Sequence, residues 1–354
     1  MRPFAVGALV SLGLLVALFM YLDLSPAEVW EALRAAPPLG IAAVVGVHLF
    51  ALIAKVRRWR LLLRASGCEP PAQDRPGSDP ALPHLVQDAV FLGWLGNLVL
   101  PAKSGEMVRP LLFSRRARLP FARILGTVVL ERCVDLLVIA AGFWLAVAAT
   151  PLLSSLPTEV LATSRLAGLA AVALLVALAV LWKLGPPQRQ VSAESEARPG
   201  GLGRIQELLA TFRSGLAGFE RPSVLFGVLG WTALSWTIEV LGAWLCLAVF
   251  KVKLTAAWTA ATVHVVATTL AVSVLPVPGG LGVEQPVTLA VFQPFGDGSL
   301  PAESVIAVSL VLSLSSVFWV VPLGLLGMWR QGARLGPAGS LQDVELDAPV
   351  DGAS

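Results

Sequence analysis

The chain has 354 residues, 56% of them hydrophobic and 14% charged, with a mean hydropathy of +0.77 and a formal net charge of +3. Soluble domains carry about 25% charged residues, so this composition excludes an ordinary globular protein and points to an all-α polytopic membrane protein. Cys68, Cys133 and Cys246 show no metal or redox spacing and the three histidines no paired spacing, so neither a disulfide framework nor a metal site is expected, and no cofactor.

Taken in order, the chain opens on an apolar run at about 4–22, too long for the core of a signal peptide and without a convincing cleavage site, hence an uncleaved first helix. A short acidic loop follows, with Asp23, Glu28 and Glu31 against Arg34. The second helix spans about 38–54 and ends in the basic collar Lys55-Val56-Arg57-Arg58-Trp59-Arg60. A proline- and glycine-rich loop at 66–83 leads to an interrupted apolar segment over about 85–112. The third helix, about 121–149, carries Glu131, Arg132 and Asp135, and the fourth covers about 160–182. The stretch 185–203 reads as a linker, and Ile205, Leu208, Leu209, Phe212, Leu216 and Phe219 then recur at helical spacing, an amphipathic helix within a cytoplasmic loop at 183–221. A fifth helix (about 222–250) contains Glu239, a second interrupted segment covers about 256–295, and a sixth helix covers about 303–329. The tail, 331–354, is glycine-rich and then acidic, and is expected to be disordered.

Basic residues orient these spans. With a cytoplasmic N-terminus, and each interrupted segment leaving on the side it entered, most of the 26 lysines and arginines fall inside; the outside receives only Arg34, Arg165, Lys251 and Lys253. Both termini are then cytoplasmic. The expected architecture is about six full spanning helices plus two oppositely oriented re-entrant hairpins, related as an inverted repeat.

The two interrupted segments carry the chemistry. The first reads Asn97-Leu-Val-Leu-Pro101-Ala-Lys103-Ser-Gly105-Glu106-Met-Val-Arg109-Pro110; the second reads Leu275-Pro276-Val-Pro278-Gly279-Gly280-Leu-Gly282-Val-Glu284-Gln285-Pro286. Broken backbone and ions cannot face hydrocarbon, so these segments line a cavity, are buried in protein, or lie at the surface. Two such breaks at matching places in two halves point to a transporter-like site. Lys103, Arg109 and the N–H groups of a helix resuming after Gly105 suit a phosphate. Glu106 and Arg109 share a face, as do Glu131 and Asp135, with Arg132 beside them; the alternative for this cluster is a salt bridge locking helix to hairpin. Glu284, beside exposed glycine backbone, suits a cation, a proton or an ammonium group. Glu239, His48 and His264 read as isolated buried hydrogen-bonding residues.

On Asn97…Leu100-Pro101-x-Lys103-x-Gly105-Glu106-x-x-Arg109, on Leu130-Glu131-Arg132-x-x-Asp135-Leu136 and on Pro276-x-Pro278-Gly279-Gly280-Leu-Gly282, the chain resembles the transmembrane region of the lysylphosphatidylglycerol synthase and flippase family in a stand-alone form. The resemblance covers most of the chain, so 1–330 is expected to be a flippase-like transmembrane domain. It implies a membrane domain that moves aminoacylated phosphatidylglycerol, or related lipids, between leaflets. Its substrate-contacting set would be Asn97, Lys103, Glu106, Arg109, Glu131, Arg132, Asp135, Pro278, Gly279, Gly280, Gly282, Glu284 and Gln285. Two positions depart from the family pattern: Lys103 stands where arginine is common, and the acid after the second break is at Glu284 where the family has it one place later, at Gln285. The fused synthase domain is missing. The expectation is therefore a plasma-membrane lipid carrier and not an enzyme, binding a phosphate-containing lipid headgroup and no nucleic acid, with a separate lipid-synthesising enzyme and a second copy of itself as partners. A polyprenyl-phosphate or glycolipid carrier, a headgroup enzyme using Glu106 and Asp135, and a non-catalytic scaffold for a lipid-modifying enzyme are the alternatives.

Overall fold

Prolines set where the long helices begin. Proline fixes φ and lacks an N–H, so it costs nothing in the first turn, where that donor has no partner in any case. In the computed structural model α1 is Pro26–Ala35, α2 Pro38–Ala65, α3 Leu85–Val99, α4 Gly105–Ala117 and α5 Phe121–Ala148. The second half holds α6 Gly201–Gly215, α7 Pro222–Val249, α8 Ala257–Val274, α9 Glu284–Phe292 and α10 Ala302–Gln331. Pro38 and Pro222 open their helices, Pro120 and Pro301 stand just before theirs, and Gly332 ends α10 with a left-handed φ of 55°. The structure describes residues 24–69, 82–99, 105–149, 201–216, 221–275, 277, 280–296 and 300–332, with parts of 12–21 and scattered positions in 158–183. Among them there is no strand.

Four helices, α2, α7, α8 and α10, are long and apolar enough to cross a membrane. α5 is as long as α2, 28 residues or about 42 Å, but its apolar run carries Glu131, Arg132 and Asp135. The helices expected at about 4–22 and 160–182 are only partly described, and the tail beyond 332 lies outside the described residues, as does most of the linker expected over 185–203. The amphipathic helix is present as α6, starting at Gly201 inside that expected linker.

Two expectations are corrected. The acidic loop after the first helix is α1, which starts on a full capping box: the Glu28 amide donates to the Ser25 hydroxyl at 3.3 Å, and the Ser25 amide donates to the Glu28 carboxylate at 2.8 Å. Its Val29 is buried against Ile306 and Ala307 of α10. Second, α2 does not stop at the basic collar but continues to Ala65. Arg58 and Trp59 are fully buried while Arg57 stays exposed, so the collar is helix with one face in the core, not interfacial fringe.

The interrupted segments are α3–α4 and α8–α9. α3 and α4 close on one another through glycine: a Cβ at Gly105 would collide with the Gly93 carbonyl, and one at Gly93 would stand 3.1 Å from the Gly105 carbonyl oxygen. The two halves pack in a reciprocal way. α2 and α7 lie along each other in opposite directions, with Gly40 against Val249 and Leu61 against Gly227. α3 begins beside the end of α10, where Asp88 pairs with Arg330 at 3.2 Å. α8 likewise begins beside the end of α5, where the Thr259 hydroxyl donates to the Ala146 carbonyl at 3.4 Å. Each broken unit is thus packed against the closing helix of the other half. Two large apolar clusters result, one around Trp59, Phe91 and Phe113, the other around Phe143, Phe292 and Phe295.

Candidate functional site

α5 carries Glu131 and Asp135 one helical turn apart, which turns both carboxylates to the same side. Three arginines converge there from three helices. Arg109 of α4 donates both terminal nitrogens to Glu131, at 3.0 and 2.7 Å. Arg58 of α2 reaches Glu131 at 2.8 Å and forks onto Asp135, with its Nη2 at 3.1 Å from Oδ2. Arg132 reaches Glu131 at 2.7 Å, Asp135 at 3.5 Å and Glu106 at 3.9 Å. Asn97 also donates to Glu106, at 3.4 Å. Three guanidiniums thus meet three carboxylates. Paired forks of this kind are how a buried charge is tolerated, since an unpaired one costs several kcal/mol.

The network has an inside and an outside. Arg58, Arg109, Glu131 and Asp135 are buried, and the Trp59 ring lies 3.8 Å from the Arg109 guanidinium. Trp59 is fixed in turn by donating from its indole nitrogen to Thr127 at 3.0 Å. Arg132 and Glu106, however, keep 42% and 31% of their side chains accessible and make the longest contact of the set.

Next to this network lies a cavity of about 350 Å³, within the ~300–1,000 Å³ range of ligand pockets. It is lined from both broken units, by Asn97 of α3 and by Glu284 of α9, and by α2, α7, α8 and α10. On its wall Glu239 of α7 accepts from Lys55 at 2.7 Å and lies 3.0 Å from His48 Nδ1. The Lys55 ammonium also sits 5.2 Å from the Trp236 ring. Trp236, itself part of the cavity wall, donates its indole N–H to Asp135 at 3.0 Å. Two residues therefore join cavity and network: Trp236 through Asp135, and Asn97 through Glu106.

The second break is shaped around its acid. Gly280 has a φ of 72° and Gly282 of 88°, both left-handed, and a Cβ at Gly280 would collide with the Glu284 carboxylate. Glu284 lines the cavity and accepts from the Ser313 hydroxyl of α10. Gln285 is fully buried and turned the other way, its side-chain oxygen accepting from the Gly282 amide at 2.6 Å. Of the two adjacent candidates for the acidic position, the cavity side belongs to Glu284, while Gln285 holds the backbone of the break.

The expected set is thus partly gathered. Glu106, Arg109, Glu131, Arg132 and Asp135 form the network, Asn97 bridges it to the cavity, and Glu284 lies within the cavity wall. Gly280, Gly282 and Gln285 build the second break, whereas Lys103, Pro278 and Gly279 lie outside the described residues. Arg109 is engaged by Glu131 at both terminal nitrogens, so the salt bridge locking α4 to α5 is the arrangement present. Arg58, His48, Lys55 and Glu239 were missed as members of the site. Their signal is that 48 and 55 fall two turns apart on one helix face and that ionisable groups within apolar helices call for partners.

A family model described as the lysylphosphatidylglycerol synthase TM region matches residues 4–324. Among curated proteins, the chain is similar to the glycosyltransferase AglD of Haloferax volcanii, with 29% identity over 134 residues. That stretch spans 38% of this chain and 19% of the relative.

Proposed function

The chain belongs to the family of the lysylphosphatidylglycerol synthase transmembrane region and is a multi-pass membrane protein; from that premise we propose that it carries a lipid between leaflets. The observation behind this reading is the charged cavity lined from both broken units. The lipid headgroup reaches from the cavity to the adjoining ionic network, where Arg132 lies outside the cavity wall, while the acyl chains remain in the bilayer. Arg132, less confined than its neighbours and 3.9 Å from Glu106, binds the headgroup phosphate by exchanging that acid for it, and Lys103 assists. Arg58, Arg109, Glu131 and Asp135 hold α2, α4 and α5 in register behind it.

In this reading the chain has about six full spanning helices, and α3–α4 and α8–α9 are re-entrant from opposite sides. The opposed course of α2 and α7, counterparts in the two halves, supports an inverted repeat, and rocking of the halves about the cavity gives alternating access. The protein resides in the plasma membrane with both termini cytoplasmic, and a separate enzyme makes its lipid. It is a carrier and not an enzyme: Asp135, which acid–base chemistry would use, is engaged by Arg58 and Trp236. A polyprenyl-phosphate or glycolipid substrate is the second reading, favoured by similarity to a protein named as a glycosyltransferase.

The test is leaflet-resolved lipid movement in proteoliposomes, with labelled phosphatidylglycerol, aminoacyl-phosphatidylglycerol and polyprenyl phosphate. Movement of one of these by the wild type, lost in Arg132→Gln and in Asn97→Ala while both stay folded, is the expected result. Failure to move any of the three, with or without an imposed ion gradient, would overturn the carrier reading.

A further inference from the structure

Glu284 differs from every other acid in the site. Among the described residues no cation lies within ion-pair distance of it, and its partner is the Ser313 hydroxyl. Ionisable groups from three other helices share its cavity. α2 presents His48 and Lys55 to the cavity, α7 presents Glu239, and α8 presents His264. α3 and α10 contribute no ionisable group to the wall, only neutral ones such as Asn97, Ser313 and Ser316. The Lys55 ammonium is already held on Glu239. His264 turns its Nδ1 toward the Thr288 hydroxyl of α9, at 3.4 Å. Glu284 ionised would leave the cavity with a carboxylate that has no ion-pair partner, an unfavourable state away from bulk water; His48, itself 3.0 Å from Glu239, is the wall group whose protonation would offset it.

The geometry around Ser313 accommodates the alternative. Its hydroxyl has one hydrogen and two acceptors in reach, the Glu284 carboxylate and the Ser309 carbonyl at 2.9 Å. Only one of them can receive it at a time. When the hydrogen goes to Glu284, the carboxylate is satisfied as an anion. When it goes to Ser309, the Ser313 oxygen is left facing Glu284 as an acceptor, and a Glu284 carboxyl proton completes that contact. The pair thus has a complete hydrogen-bonded arrangement for each protonation state, with no movement of the backbone.

We propose that Glu284 and Ser313 form a proton-binding site in the cavity wall, and that lipid movement is coupled to protonation there. The step is an O–H bond formed at the Glu284 carboxylate with a proton taken from water, and broken again on the other side of the membrane. The coupling rests on the carrier reading above; the proton site does not.

Two measurements separate these. Infrared difference spectra of the full chain in lipid nanodiscs, stepped from alkaline to acidic buffer, should show a buried carboxylic-acid carbonyl band. Glu284→Gln should abolish the band, and Ser313→Ala, which removes the acceptor but keeps the acid, should shift its frequency. In proteoliposomes, an imposed pH difference should bias the distribution of the transported lipid, with one proton per lipid setting a limit of about tenfold per pH unit; Glu284→Gln should lose that bias. A wild type with no such band, or a band that Glu284→Gln leaves intact, overturns the proton site whether or not lipid moves. A correct band with lipid movement indifferent to the gradient overturns the coupling and leaves the carrier standing. A correct band with no lipid movement under any gradient overturns both the coupling and the carrier, and leaves the site.

Discussion

Glu131→Gln is the most informative single change to the ionic network. The carboxylate receives Arg109 at 2.7 and 3.0 Å, Arg58 at 2.8 Å and Arg132 at 2.7 Å. Breaking a buried pair from one side costs about 3–5 kcal/mol, because the remaining charge stays buried without its counter-charge. Two of the three guanidiniums here, Arg58 and Arg109, are buried, so the loss should reach at least that range. The terms share one acceptor and will not add in full. Arg132 serves as the internal comparison: its side chain is 42% accessible, and Glu131 keeps both Arg58 and Arg109 when it is lost, so the cost should be smaller. Unfolding of the detergent-solubilised protein, titrated with a denaturing surfactant and followed by tryptophan fluorescence, reads both variants, since Trp59 and Trp236 contact the network. Glu131→Gln should be destabilised by about 3–5 kcal/mol and Arg132→Gln by clearly less. Equal losses in the two variants would refute the division into a structural inside and an accessible outside, and with it the role given to Arg132.

Three further outcomes follow from single contacts. Gly105→Ala places a Cβ against the backbone of Gly93, Gly96 and Asn97, so monodisperse protein on size exclusion should be lost, whereas Gly230→Ala, with nothing within 4 Å, should behave as wild type. Ser25→Ala removes the capping box of α1 at a cost of about 1 kcal/mol, which should appear as faster amide exchange confined to Pro26–Ala35. Trp236→Phe keeps a ring beside Lys55 but removes the N–H donated to Asp135; a hydrogen bond to a charged group is worth about 1.5–3 kcal/mol, visible as a lower thermal midpoint.

What could be read from the sequence was local. α5, α7 and α10 lie within two residues of their expected limits because Pro120, Pro222 and Pro301 mark their starts, and a start signal acts on its own segment. The two breaks were visible for the same reason, since proline and glycine cluster there within a few residues, whereas the lone Pro110 and Pro322 stay inside α4 and α10. α1 was legible but not read: Ser25, Pro26 and Glu28 spell a capping box within four residues. The extension of α2 through Arg58 was of another kind. Charge after an apolar run is an interface signal, and only the two acids on α5 make burial of Arg58 tolerable. The cavity was still further from view, because Lys55 and Glu239 are 184 positions apart and each, taken alone, looks like a stray charge in an apolar helix. Spacing reveals partners on one helix; it is silent on partners between helices.

The packing of each broken unit against the opposite half also dictates an order of assembly. α3 depends on the last helix to complete its surroundings: Gly324 of α10 fits against Leu95 and the Phe91 carbonyl, Gly327 against Asp88, Gln331 donates to the Asp88 carboxylate and Arg330 pairs with it. During synthesis, therefore, a buried acid made early must wait for residues made more than two hundred positions later. A nascent chain halted before α10 holds Asp88 without its cation, and quality control in the membrane should recognise it there. Equally, the two halves made as separate polypeptides should be unstable alone and should rescue one another when made together.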